Sequence, residues 1–347
     1  MNNQSISRKV KLLHYVILMS FLCCHHVLHA QTDSLILKND DIIVGEIKSM
    51  DRGVLTIETD YSDKDFKIEW DGITEIHTES FFLITLSDGR RYNGTLDSPS
   101  PGRATINIDE GGSTEVDLKD LVFLKSIDAG FWSRLYAAID FGYSLAKANN
   151  LRQFSLNGKI GYLAERWSLD AAYNSVLSKQ DSVADTKRTD GNITYRYFLP
   201  KDWFIMGDIS FLSNTEQKLN LRSNGKLGLG KFMIHTNRTY WAFQAGVSFM
   251  NENFSDESPD RQSMESFLGT ELNMFDVGDL GLLTNATVYP GITESGRWRV
   301  DYKFDLKYDL PLDFYIRLGF TVNYDNQPVE GASDTDYVFQ TGLGWEW

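Results

Sequence analysis

From about Arg134 to Trp347 apolar and polar residues alternate at every second position, in twelve segments separated by turn-forming residues. A period of two puts successive side chains on opposite faces of a strand, whereas an amphipathic helix repeats every ~3.6 residues. In one segment Trp298, Val300, Tyr302, Phe304, Leu306 and Tyr308 alternate with Arg299, Asp301, Lys303, Asp305 and Lys307. The next carries Phe314, Ile316, Leu318, Phe320, Val322 and Tyr324, and the last Tyr337, Phe339, Thr341, Leu343, Trp345 and Trp347. The pattern predicts strands at 134–145, 152–162, 167–178, 187–199, 203–213, 219–232, 239–250, 263–274, 280–290, 297–309, 313–325 and 336–347. At ~3.3 Å per residue and a tilt near ~40°, each rises roughly 25 to 30 Å, the height of the apolar band of a membrane barrel. The fold expected is therefore all-β: an antiparallel up-and-down transmembrane β-barrel of about 12 strands, preceded by tandem small SH3-like or Sm-like β units.

The connections alternate in length. Those around Ala164-Glu165, Pro200 to Asp202, Thr236 to Arg238, Asp276 to Asp279 and Leu310-Pro311 are short, and the others mostly longer and acidic. Bacterial barrels have short periplasmic turns and long outer loops, so this phase places both ends of the barrel in the periplasm. Trp167, Trp203, Trp241 and Trp298 lie near strand starts, where aromatic girdles form. Trp345 and Trp347 are expected to act as a C-terminal barrel-assembly signal. The competing reading is a β-sandwich or a lipocalin-like barrel, which buries its aromatic residues inside. Wide apolar rows on nearly every strand count against it.

At the amino terminus Arg8, Lys9 and Lys11 precede an apolar stretch from Leu12 to Cys24. With Leu28-His29-Ala30 it reads as a secretory signal cleaved between Ala30 and Gln31, and it is too short to favour a spanning helix. The bulky Phe21-Leu22 weakens acylation at Cys23 or Cys24. Cleavage would remove both cysteines, and with them any disulfide, thiol nucleophile or cysteine metal site. It would also make the chain three units more negative than its formal −14, a poor basis for nucleic-acid binding. The expected organisation is a signal peptide at 1–30, a periplasmic duplicated small β-barrel domain at 31–127 and the outer-membrane barrel at 128–347.

The middle segment contains an internal repeat. Leu37, Gly45, Ile47 and Ile57 recur forty-nine residues later as Leu86, Gly94, Leu96 and Ile106. With one residue deleted, Ile68, Trp70, Ile73 and Ile76 fall on Val116, Leu118, Leu121 and Leu124. Each copy reads as a small, strongly bent sheet, and two such units side by side are expected. Asn39-Asp40 and Asp88-Gly89 are hairpin-turn chemistry. Asp40, Asp41, Asp63, Asp65, Asp109 and Glu110 are expected on a solvated face, and Phe81-Phe82 in the core of the second unit.

The signal, the duplicated unit and the barrel opening Asp140-Phe141-Gly142-Tyr143-Ser144, Asn149-Asn150 and Phe154-Ser155-Leu156 resemble the YdiY-like family, often labelled salt-induced outer-membrane proteins. The resemblance spans nearly all of the mature chain. It implies an outer-membrane barrel of a domain-of-unknown-function family with a link to osmotic or envelope stress, and it carries no catalytic residues.

Candidate chemistry changes the picture little. His235, the one histidine of the barrel, adjoins a predicted periplasmic turn, the wrong end for outer-leaflet hydrolysis. Asp256, Glu257 and Asp260 share one outer loop, and Asp325, Glu330, Asp334 and Asp336 another, where acids usually solvate. Inward positions carry charges of both signs, among them Asp140, Lys159, Asp170, Arg196, Arg222 and Glu271. The densest run is the ladder Arg299, Asp301, Lys303, Asp305 and Lys307, with Arg317 on the next strand. It is either a structural cross-brace or, if a path exists, a selectivity element.

The expectation is a non-enzymatic protein without cofactor or metal, serving envelope structure or osmotic and salt-stress adaptation. A narrow channel for small hydrophilic solutes or ions is the alternative, and an outer-membrane hydrolase a more distant one. The partners implied are outer-membrane lipid and lipopolysaccharide, the barrel-assembly machinery and a periplasmic protein or peptidoglycan, with no nucleic acid. The acidic outer loops motivate Ca²⁺ or Mg²⁺ bridging to lipopolysaccharide.

Overall fold

A computed structural model describes residues 33–127, 131–147, 150–215, 219–255, 259–277, 279–328 and 334–345. The expected cleavage site at Ala30 and Gln31, and Trp347 of the terminal aromatic pair, lie outside them. The described residues are all-β and form two antiparallel sheets, one on either side of the connection from Ser126 to Leu135.

The first copy of the repeat supplies β1 (Asp33–Leu37), β2 (Ile42–Asp51), β3 (Val54–Glu58), β4 (Phe66–Glu69) and β5 (Ile73–His77). The second supplies β6 (Phe82–Leu86), β7 (Arg91–Asp97), β8 (Arg103–Ile108), β9 (Ser113–Asp117) and β10 (Leu121–Ser126). The copies are not two separate barrels. Each contributes three strands to one closed ring, β1-β5-β7-β6-β10-β2 and back to β1, so closure depends on pairs between copies, β5 with β7 and β10 with β2. The hairpins β3–β4 and β8–β9 extend from the ring at equivalent places.

The duplication is visible atom by atom. Gly45 lies against the carbonyl of Glu58 and Gly94 against that of Asn107, and a Cβ at either would collide with it. Trp70 N–H donates to Gly53 O (2.7 Å) as Leu118 N–H does to Gly102 O (2.9 Å). The Trp70 indole, across the core, donates to Leu118 O (3.0 Å), joining the two equivalent positions. Leu35, Ile47, Leu55, Ile57, Ile76 and Phe82 of the first and second copies pack with Ile84, Leu96, Ile106, Leu121 and Leu124 in a single core. Phe82 is fully buried, but Phe81 is exposed, because the two neighbours project to opposite faces of the strand. The six acids expected on a solvated face are all exposed.

One buried polar group breaks the pseudo-symmetry. Asp33, where the second copy has Phe82, accepts N–H bonds from Ile47 (3.0 Å), Glu79 (3.0 Å) and Ser80 (3.2 Å). Burial pushes its carboxyl above the usual range, opposed by these same bonds. The carboxylate thereby fastens the first copy to the connection between the two.

The second sheet is a twelve-stranded meander in sequence order. Its strands are β11 (Leu135–Ala146), β12 (Leu151–Leu163), β13 (Trp167–Gln180), β14 (Val183–Phe198), β15 (Trp203–Asn214) and β16 (Leu219–His235). They continue as β17 (Thr239–Phe254), β18 (Arg261–Val277), β19 (Leu280–Pro290), β20 (Trp298–Asp309), β21 (Phe314–Asp325) and β22 (Thr335–Trp345). The sheet is curled: residues of β14 and β20 line one cavity, and Lys226 of β16 reaches Tyr289 of β19 on its concave side (Nζ to OH 3.0 Å). Among the described residues no pairing joins β11 to β22, and side chains of both end strands are exposed along nearly their whole length. The expected ring closure is therefore not among the registered pairings.

The register separates the two rows of every strand. Phe204↔Gly230, Ala242↔Glu271, Tyr289↔Arg299 and Lys307↔Arg317 are directly opposed pairs and all face the concave side. The opposite rows place Ile139, Phe141, Ile209, Leu227, Phe249, Leu268, Phe339 and Leu343 on the convex side, exposed. At the end nearest the small barrel, Phe131, Tyr162, Trp167 and Tyr195 form a chain of ring contacts at 4.9, 5.0 and 6.1 Å around that convex rim.

Candidate functional site

The concave face is divided by an apolar layer. Phe204, Met206, Phe267 and Tyr289 are buried together, with Phe198 and Phe232 against them. Three glycines make room: a Cβ on Gly228 or Gly246 would strike the Phe267 ring, and one on Gly230 the Phe204 ring. This layer was missed in the alternation, although Trp203-Phe204-Ile205-Met206 is apolar in both rows and signals it.

Toward the far end, away from the small barrel, lies a polar cavity of about 410 Å³ lined by Asp190, Asp208, Arg222, Lys226, Arg299 and Asp301 among others. Two of its arginines are paired across strands. Arg299 binds fully buried Glu265 through Nε (2.9 Å) and Nη2 (2.7 Å), with its guanidinium 4.6 Å from the Tyr289 ring. Arg222 Nε donates to Glu252 (2.7 Å), another buried carboxylate. Neither Glu252 nor Glu265 stands out in the sequence, because an acid on a polar row does not reveal its burial.

The ladder therefore splits. Arg299 is clamped to another strand, whereas Lys303 pairs with Asp305 (3.0 Å) and Lys307 with Asp309 (3.1 Å) along their own strand. Lys307 and Arg317 lie 4.9 and 4.8 Å from the centre of the Tyr315 ring. Asp301 faces the far cavity. Trp345 lies on the convex row, with its indole N–H bonded to Leu312 O (3.1 Å).

At the far rim Arg297, 3 % exposed, binds Asp325 (2.6 and 3.1 Å) and Glu294, which also accepts from Arg261 (2.6 Å). Burial opposes the ionisation of Glu294, yet Arg261 and Arg297 hold its carboxyl below the usual range. Asp325 is thus committed to a guanidinium. Asp256, Glu257 and Glu330 lie outside the described residues, and no group of metal-ligating side chains occurs among those described.

At the near end the small barrel docks on the short turns. Arg238 pairs with Asp71, Asn93 Nδ2 donates to Glu165 (3.1 Å), and Arg52 lies 5.0 Å from the Phe275 ring. The β6–β7 turn touches Asp202 at Gly89, whose φ of +81° favours glycine and whose contact with the Asp202 backbone leaves no room for a Cβ. In the first copy Asp40 holds the same turn position (φ 64°) and is exposed, so only one of two equivalent turns can dock.

This contact encloses a second cavity, of about 350 Å³, lined by both sheets. His235 belongs to it: its Nδ1 is 2.7 Å from Asp202 Oδ1 and its ring stacks on Phe232 at 4.8 Å. The sequence places this histidine beside a turn, and it is the last residue of β16, but nothing in the sequence marks it as a cavity wall. Arg91 reaches in from β7, 4.0 Å from the Phe198 ring, with Nε bonded to Thr85 Oγ1 (3.1 Å).

These observations define a two-sheet β protein whose larger sheet carries a partitioned polar trough on one side and an apolar surface on the other. Residues 139–347 match the model of the family described as protein of unknown function, DUF481, and the chain belongs to that family. A comparison with curated proteins gave no match.

Proposed function

We propose that the twelve-stranded sheet is an outer-membrane β-barrel of the YdiY-like, salt-induced type, with the small barrel in the periplasm and a role in envelope structure or osmotic adaptation rather than catalysis. The observation that carries this is the convex surface. Leu227 is 60 % exposed, Phe249 58 %, Phe141 73 % and Leu343 72 %, on strands distributed around the whole sheet. Soluble proteins rarely leave contiguous apolar patches beyond a few hundred Å². Lipid is the solvent that suits this row, and the aromatic chain from Phe131 to Tyr195 suits an interface. Lipid also forbids unpaired strand edges, so β11 and β22 pair in the membrane and complete the ring.

The apolar layer and the docked small barrel support a plugged, braced scaffold. The channel reading draws on Lys303 and Asp305, whose side chains stay about half exposed at 50 % and 49 %. Single-channel recording of the refolded chain in a planar bilayer separates the two. A silent, folded barrel is expected. Steady conductance whose selectivity changes when Arg299, Lys303 and Lys307 become Gln would establish the channel instead.

A further inference from the structure

The interdomain cavity contains a charge without a counter-charge. Its acids are engaged: Asp202 with His235 (2.7 Å), Glu271 with the Tyr240 hydroxyl (3.1 Å) and Asn273 (2.8 Å), and Asp51 beside Arg52 (3.7 Å). Arg196 pairs with Asp170 at 3.8 Å. Arg91 differs. Among the described residues no carboxylate reaches it within ion-pair distance, and its Nη1, out of contact with solvent, has no hydrogen-bond partner. Burial drives its guanidinium down to about 10, with only the more distant Glu165 opposing.

A desolvated guanidinium without an anion is costly, and an orphaned N–H beside a cavity is a group waiting for an acceptor. The second copy of the repeat supplies this arginine, while the equivalent position in the first is Ile42, exposed. The difference coincides with docking: of the two equivalent hairpin turns, β6–β7 touches Asp202 of the twelve-stranded sheet at Gly89, whereas Asp40 of β1–β2 is exposed. Phe198, Phe204, Phe232 and Phe275 provide the apolar walls.

We propose that this cavity binds a small amphiphilic anion, a carboxylate or phosphate monoester on an apolar body, with Arg91 as its charge partner and the phenylalanine walls as its seat. A guanidinium fork matches both headgroups, and a volume of about 350 Å³ lies in the range of small-molecule sites. The site rests on the contact between the two sheets and goes beyond the membrane assignment.

The test uses the full chain in phosphatidylcholine nanodiscs and in non-ionic detergent micelles, titrated by calorimetry with phenyl phosphate and with octanoate. In a second arm the discs are doped with phosphatidic acid and the thermal midpoint is followed. Saturable 1:1 binding is expected in one arm or both; response to the soluble probes assigns a dissolved ligand, and response to the lipid alone a leaflet lipid. Arg91→Gln should weaken binding by about 100-fold and Arg91→Lys, which keeps the charge but loses the fork, by about tenfold. Arg152→Gln, exposed at the opposite end of the twelve-stranded sheet, should change nothing. Without probe, Arg91→Gln should melt no lower than the parent, since it removes an uncompensated charge; a purely structural arginine would lower it. Unaltered binding by Arg91→Gln, or no saturable response in either arm, overturns the proposal. If Arg91→Gln fails to fold, equal affinity of Arg91→Lys and parent overturns it. A chain that binds in micelles but does not enter discs would sink the membrane assignment and leave this site standing.

Discussion

The two sheets share a period of two and resolve it in opposite senses. In the six-stranded ring the apolar row points inward, to the core around Leu35, Ile84 and Leu124, and the polar row meets water. In the twelve-stranded sheet the apolar row points outward, and the concave side gathers Arg222, Glu252, Glu265 and Arg299. The local pattern is the same, so curvature and strand number decide which row goes inside. A ring of six strands has an interior that apolar side chains can fill, whereas twelve strands enclose more space than one layer of side chains can fill, and charges there must find each other.

If that contrast is right, the largest losses follow from disturbing each interior in its own way. Phe82→Ala should cost about 3–5 kcal/mol in the small ring, read from denaturant midpoints. Glu265→Ala, which strands Arg299 inside the trough, should cost about 3 kcal/mol in the large sheet. A smaller effect of Glu265→Ala than of a surface substitution would break the claim that the trough is held by buried pairs. Next in size, Leu227→Arg on the convex row should cost about 2 kcal/mol or more in a bilayer at midplane depth, but under about 0.5 kcal/mol if that row faces water.

pH sharpens the contrast further. Glu294 has a lowered folded-state pKa, so its contribution is present above its unfolded value of 4.5 and is lost as pH falls through the folded value. Asp33 has a raised one, so its contribution is present below 3.8 and is lost as pH rises through the folded value. Glu294→Gln should therefore flatten the acid limb of a stability profile, and a parent profile with no acid limb to flatten would contradict the assignment. The smallest effect belongs to the exposed Arg238–Asp71 pair at the docking surface, where Arg238→Ala should change stability by no more than about 1 kcal/mol.

Much of this architecture was legible in the sequence. All twelve strands of the large sheet appear where alternation placed them, within a few residues. The observed strands run further, β14 from Val183 and β18 across Arg261–Val277; at Asp185-Thr186 and Arg261-Gln262 both rows are polar and alternation ceases to mark a strand. The duplication was equally legible, but its closure was not. Pairing of β5 with β7 and of β10 with β2 joins residues remote in sequence, and local periodicity says nothing of it. The ladder residues do share one face. Their partners were hidden, since Glu265 and Arg299 lie two strands apart. Arg91 was hidden more completely, because an arginine after a polar turn reads as solvated until another sheet covers it.

The central claim, that the convex row of the large sheet faces lipid, is tested most directly by spin labels along β16 and β17 of the chain in bilayers. Labels at Leu227, Leu229, Val247 and Phe249 should relax with dissolved oxygen, and those at Lys226 and Ser248 with a water-soluble nickel chelate, in strict alternation. Nickel accessibility in both rows would contradict it.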